Sequence, residues 1–126
     1  MSSRQHILDH VALRVSDLSV SRAFYEAALA PLGYRLLSHS SDSLSFGVPG
    51  SDDFGLSVGA AATRHAHVAF IARDQAAVQA FYAAALAAGG RDNGAPGFHR
   101  EYHPTYYAAF VLDPDDNNIE AVFHGR

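Results

Sequence analysis

The sequence predicts an α+β fold: two tandem βαβββ modules whose eight strands form a curved, partly open mixed sheet around a cavity. Three observations carry this. The segment HVALRVSDLSVSRAFYEAALAPLG, from His10 to Gly33, recurs without a gap as HVAFIARDQAAVQAFYAAALAAGG from His67 to Gly90, with twelve identities in twenty-four positions. Such self-similarity fixes architecture before any local propensity does. Each copy opens with strand-like alternation and continues at helical spacing. Each is then followed by three short apolar runs separated by turn-forming residues.

The elements follow in order. From His6 to Val15 the chain alternates, with Ile7, Val11, Leu13 and Val15 on one face and His6, Leu8, His10, Ala12 and Arg14 on the other. Ser16 or Asp17 can cap the following helix, where Val20, Ala23, Phe24 and Ala27 recur at helical spacing. Pro31 and Gly33 end it. Strands are expected near Tyr34–Ser38, Ser43–Val48 and Phe54–Val58. The second copy repeats the plan: Asp74 as cap, Val78, Phe81, Tyr82 and Leu86 along the helix, and Gly89-Gly90 as the stop. Its strands are expected near Phe98–Tyr102, Tyr106–Leu112 and Asn118–His124, with Gly94–Gly97 as a loop. Asp113-Pro114-Asp115-Asp116-Asn117-Asn118 is a dense hairpin signal. The modules therefore span about residues 5–59 and 64–125 of a single domain covering residues 1–126. Tyr25 and Tyr82, at the repeated helical position, are expected in the core.

Composition narrows the function. The 126 residues carry a net charge of −4, which gives no basic footprint for nucleic acid or an anionic membrane. The absence of cysteine removes thiolate metal sites and thiol nucleophiles. The start MSSRQHILDH lacks an apolar leader core, and no apolar run approaches membrane-spanning length, so a cytoplasmic location is expected. Of the eight histidines, His39 among serines reads as a solvated loop residue. His10 and His67 are different, because the repeat places them at equivalent points, as a metal site at a pseudo-twofold axis would.

The tandem βαβββ plan, the module openings HVAL…FYEAALAPLG and HVAF…FYAAALAAGG, and the closing DPDDNNIEAV together resemble the vicinal oxygen chelate superfamily. That superfamily includes glyoxalase I, extradiol dioxygenases, methylmalonyl-CoA epimerase, and fosfomycin and bleomycin resistance proteins. The resemblance covers nearly the whole chain. It implies metal ligands on the first strand of each module and on the last strand, which map to His10, His67 and Glu120. It also implies a divalent ion (zinc, iron, manganese or nickel) and Glu120 as the catalytic base. Two imidazoles and a carboxylate independently suit borderline divalent metals and leave positions open for a chelating substrate. Glyoxalase-like relatives add a carboxylate at the end of the first module. Aligning SDDFGLSV with DDNNIEAV puts Leu56 there, opposite Glu120, and Asp52 and Asp53 fall at the turn.

Other readings of these residues stand beside the metal site. An isolated strand histidine such as His10 is commonly a core or interface residue. Glu120, between Ile119 and Ala121, could be held by an ion pair with Arg14, since an inward carboxylate needs a partner. His65 shares a face with His67 and is a competing ligand; His124 is expected at the rim. The stretch FHREYHPTYY is the richest polar-aromatic patch, and His99, Arg100, Tyr102, His103, Tyr106 and Tyr107 are candidate substrate-binding residues on a cavity wall, or else an exposed hairpin. The expected function is a metal-dependent lyase, isomerase or dioxygenase acting on a small-molecule substrate with adjacent oxygens. The alternatives are a metal-free binding protein of the bleomycin-resistance type and a structural or regulatory protein with no open site. The resemblance further implies a homodimer in which modules of two chains share each site.

Overall fold

A computed structural model of the protein describes residues 7–125. The first half contains β1 (Val11–Val15), α1 (Leu18–Leu29), a 3-10 turn (Ala30–Leu32), β2 (Arg35–His39), β3 (Ser43–Val48) and β4 (Ser51–Val58). The second contains β5 (His67–Ile71), α2 (Gln75–Ala87), β6 (Arg91–Phe98), β7 (Tyr107–Leu112) and β8 (Asn118–Phe123). The eight strands form two four-stranded mixed sheets, ordered β1-β4-β3-β2 and β5-β8-β7-β6. β1 runs parallel to β4 and β5 parallel to β8; the other pairs are antiparallel. Neither sheet closes, so β1, β2, β5 and β6 are all edges.

Local chemistry explains the helices. The Asp17 carboxylate accepts from the Val20 N–H at 3.1 Å, and Asp74 accepts from Ala77 N–H at 2.7 Å, each satisfying a donor that a helix start leaves orphaned. Pro31 tightens the end of α1 into the 3-10 turn, and Gly33 at φ 87° turns the chain out of it. The repeated side chains face inward: Phe24, Phe81, Ala28 and Ala85 are fully buried, and one core runs through both halves. Phe54 and Phe70 meet across the module boundary with ring centroids 5.1 Å apart.

Three expected strands differ, among them β4, which begins at Ser51 and not Phe54, so that Asp52 and Asp53 lie in the strand and not at the turn. The first begins at Val11, paired with Phe54, so His10 lies one residue outside the ladder; the expected start at His6 falls outside the described residues. The first strand after α2 is Arg91–Phe98, not Phe98–Tyr102, and the expected loop Gly94–Gly97 lies inside it. The register against β7 shifts on both sides of Gly94, so bulges erased the alternation that would have revealed the strand. Gly94, at φ +149°, lies so close to Phe110 that a Cβ would sit 2.9 Å from its ring. Pro96 is tolerated because β6 is an edge.

The hairpin Asp113–Asn117 does more than turn. Asp113 Oδ1 accepts from Asp115 N at 2.8 Å and Asn117 N at 2.9 Å, while Oδ2 accepts from the Tyr25 hydroxyl of α1 at 2.5 Å. Asp115 receives both the backbone N–H and the hydroxyl of Ser16. Asn117 accepts from Ala66 N and donates to Thr63 O. Asp116 adopts φ 68°, the left-handed conformation an aspartate tolerates at modest cost. The second module's turn is thereby keyed into the first module's helix start.

Candidate functional site

Strand alternation sets which side chains share a face. On β5, Val68 and Phe70 pack on the core, which leaves His67, Ala69 and Ile71 on the opposite face. On β8, Ile119 and Ala121 join the core, and Glu120, paired across with Ala69 and Phe110, takes the opposite face. His67 Nε2 and Glu120 Oε1 approach to 2.9 Å. The other imidazole nitrogen, Nδ1, lies 3.1 Å from Asn118 O, so each ring nitrogen faces an oxygen acceptor. Glu120 is only 2 % exposed, so it is the kind of buried carboxylate that requires partners. It has two: His67 at Oε1 and the Tyr106 hydroxyl, which donates to Oε2 in a very short contact. Burial first, and the adjoining Glu120 carboxylate second, hold the Tyr106 phenol well above its ordinary range, so Tyr106 stays a donor at neutral pH.

The polar-aromatic stretch forms the wall of this face. After β6 the chain turns back through residues 99–106, and His99 N donates to Tyr106 O at 2.8 Å. Tyr102 stands 4.8 Å from Tyr106, His99 lies 5.2 Å from Phe110, and Phe110 stacks on His67 at 6.3 Å between centroids. His103 Nε2 and His124 Nδ1 are 2.9 Å apart, with Tyr106 edge-on to both rings. His124 is therefore built into this wall, which sequence reading placed at the rim; its even spacing from Glu120 was the available signal. Two candidates lie elsewhere. Tyr107 is buried on the core face, where its hydroxyl accepts from Gln79 Nε2 at 2.9 Å. Arg100 projects from the turn with its guanidinium over the Phe98 ring at 4.4 Å.

His10 is placed differently from His67. Its Nδ1 bonds Asp9 Oδ1 at 2.8 Å, with the imidazole two-thirds exposed, and that aspartate raises its pKa above the usual histidine value. His10 and His67 do line one cleft of about 450 Å³ between the modules. Among the described residues, however, no three of His, Cys, Asp and Glu gather closely enough within the chain to hold a metal ion. His65 takes the left-handed conformation at φ 62° in the connection ahead of β5 and joins no such group. Glu120 pairs with His67, not with Arg14.

The sheet register also corrects the fourth position. Ala12 of β1 pairs with Gly55, and its repeat counterpart Ala69 pairs with Glu120. The equivalent of Glu120 is therefore Gly55, and Leu56 is a core residue at 1 % exposure. An ungapped alignment of the two turns slipped by one residue, and one residue moves a strand side chain to the other face. A Cβ on Gly55 would meet Ala12 Cβ and Leu44 O at 3.7 Å, which is ordinary contact.

Comparison with known proteins agrees with this architecture. The family model described as Glyoxalase/Bleomycin resistance protein/Dioxygenase superfamily matches residues 7–121, and the chain belongs to that superfamily. A glyoxalase/bleomycin resistance protein from Albidiferax ferrireducens T118 is similar at 30% identity and TM-score 0.85, over 94% of this chain and 99% of that one. A family enzyme from Burkholderia phytofirmans PsJN shares the fold at 20% identity and TM-score 0.72, over 92% of this chain and 97% of that one. Lactoylglutathione lyase from Agrobacterium tumefaciens does so at 21% identity and TM-score 0.67, over 97% and 96% respectively. No curated protein matches the chain significantly. None of the described helices is long and apolar enough to cross a membrane.

Proposed function

We propose that this superfamily member is a divalent-metal-dependent enzyme acting on a small substrate with adjacent oxygens, as a lyase, isomerase or dioxygenase. We place its site across a homodimer, with His67 and Glu120 from one chain and His10 from the other. The observation that carries this reading is the buried Glu120 carboxylate held 2.9 Å from His67 Nε2 on a face walled by aromatic side chains. Two ligands of one ion, each at about 2.0–2.2 Å, stand roughly 3–3.5 Å apart between right-angled and tetrahedral geometry, close to the 2.9 Å of this pair, which supports the reading. The donor set of imidazole and carboxylate fits a borderline ion. His10, exposed and outside its ladder, is available to a neighbouring chain, and four sheet edges offer surface for pairing.

A divalent ion held there would supply Lewis acidity to the substrate oxygens. The chain's own residues do the rest. Tyr106 fixes Glu120 Oε2, so Oε1 is the oxygen left to accept a proton or meet the ion. Asn118 O orients the His67 ring. Tyr102, Tyr106, His99 and Phe110 exclude water and offer flat surface and hydrogen-bond donors to a substrate.

Metal content of protein purified without chelator tests the reading, with Glu120→Ala expected to lose the metal and keep the fold. Co-expression of His10→Ala with Glu120→Ala tests the sharing. Random pairing restores about a quarter of wild-type loading if sites form between chains, and none if each site lies in one chain. A second reading, the metal-free binding protein, is favoured by one observation: both Glu120 oxygens already have partners within the chain. Wild-type protein that takes up no zinc, iron, manganese or nickel would establish it.

A further inference from the structure

The cleft between the modules is not the face that carries Glu120. Residues next to and on β1 and β5, the edge strands of the two sheets, line it, and its walls come largely from the core side of the first module. Tyr34, Phe46 and Phe54 form one wall and Val68 and Phe70 the other, with Ile71 at the rim on the opposite face of β5. Its volume of about 450 Å³ is that of a small-molecule site. The charged groups at its margin are Asp9 and Asp53, besides His10, and no arginine is among the described lining residues. Lysine cannot substitute, because the chain contains none. His67 belongs to both places: it lines the cleft and holds Glu120.

From this geometry we infer that the cleft receives the apolar body of a neutral small molecule whose oxygenated end reaches His67, the lining residue that also holds Glu120, and that it rejects polyanionic ligands. The inference names the substrate class of the proposed enzyme and so rests on that reading for the chelating end alone. The physical argument is one of matching. An apolar wall gains by covering an aromatic or aliphatic body, at about 25 cal/mol for each Å² removed from water. An anionic group placed there would lose its hydration and meet Asp53 and an Asp9 already bonded to His10, with no arginine to pair it. Lactoylglutathione, which the name of the Agrobacterium neighbour gives for that protein and which carries two carboxylates, is thus a poor match for this chain. A second copy of the chain is the competing occupant, since Ile71 is 62% exposed and Leu8 70% exposed.

Two dyes with one ring system separate the cases. Neutral N-phenylnaphthylamine and its anionic analogue anilinonaphthalene sulfonate are titrated by fluorescence into the full chain with chelator present. The neutral dye should bind roughly tenfold more tightly or better. Ile71→Asp at the β5 rim and Val48→Asp at the margin of the facing wall, both at exposed positions, should each weaken it by about tenfold with unchanged circular dichroism. Asp9→Asn combined with Asp53→Asn should raise affinity for the anionic dye. Neither dye carries adjacent oxygens and the chelator removes free metal, so dye binding does not depend on the metal site. Loss of metal binding therefore tests the enzyme reading, and loss of dye binding tests the cleft. The inference is overturned if the two dyes bind alike, if neither wall variant weakens the neutral dye, or if dye binding falls as the protein is concentrated into dimers, which would assign the cleft to a second copy.

Discussion

The two modules share one backbone plan and one core face, and differ on the other face of the sheet. Helix for helix, the buried positions repeat: Phe24 and Phe81, Ala28 and Ala85. Away from the core, β1 and β4 of the first module present Ala12, Arg14, Gly55 and Ser57, while β5 and β8 of the second present His67, Ala69 and Glu120. The connection between β2 and β3 is a short serine-rich turn, whereas residues 99–106 between β6 and β7 bring Tyr102, His103 and Tyr106 over the second face. His10 stands outside its ladder on Asp9, and His67 is the first paired residue of its strand, bonded to Asn118 O and Glu120. The comparison teaches that the fold is specified on one side of each sheet and chemistry is free to vary on the other, since alternate residues of a strand obey separate constraints.

The largest expected effect comes from the contact that keys the modules together. Asp113→Ala would leave the Tyr25 hydroxyl and the Asp115 and Asn117 N–H groups without their acceptor inside the protein. A loss of roughly 3–5 kcal/mol in urea unfolding is expected. Its counterpart turn around Pro49 has no such carboxylate, and Asp52→Ala, in an exposed position, should shift stability by no more than about 0.5 kcal/mol.

The histidines give the next contrast. His67→Ala deprives the buried Glu120 oxygen of its partner and should cost about 1–3 kcal/mol. His10→Ala removes an exposed pair with Asp9 and should be nearly silent in denaturant melts. Both should abolish metal retention, so stability and metal content separate the two residues. Equal stability losses would show that the modules are less different than their geometry indicates.

Gly55→Glu sharpens the comparison by restoring to the first module the side chain that the second carries. A Cβ there meets only ordinary contacts, so the fold should persist, and metal affinity should rise if the face is shared with a second chain. Leu56→Glu, one residue on, should instead be severely destabilising because it places a carboxylate in the core. Isothermal titration with zinc and thermal melts read both outcomes.

The smallest effect is on pH dependence. Burial and then Asp113 raise the Tyr25 phenol well above 10.0, and burial and then Glu120 raise Tyr106 above the same value. Since the folded pKa exceeds the unfolded one, this contribution is fully present below pH 10.0 and is lost as pH rises beyond it. Tyr25→Phe should flatten the alkaline limb of the stability profile; Tyr82→Phe, whose hydroxyl bonds exposed Asp92, should alter it less.

Sequence alone determined the duplicated βαβββ plan, both helices with their aspartate caps, the Asp-Pro turn and the inward placement of Glu120. Those properties are local or periodic: a cap, a turn and an alternation are each written in adjacent residues, and the repeat supplied two readings of every one. Several features had no such record. Gly94 and Pro96 hid β6, because a bulged edge strand keeps no alternation. Pairing register, not residue count, made Gly55 the counterpart of Glu120. Tyr107 and Tyr106 are neighbours of identical type, and only the sheet decides that one serves the core while the other holds Glu120. Tertiary structure also decided that His67 meets Glu120 within the chain while His10 is turned to Asp9. The His67–Glu120 contact links residues dozens of positions apart, and its geometry depends on how β5 pairs with β8, which no local pattern encodes.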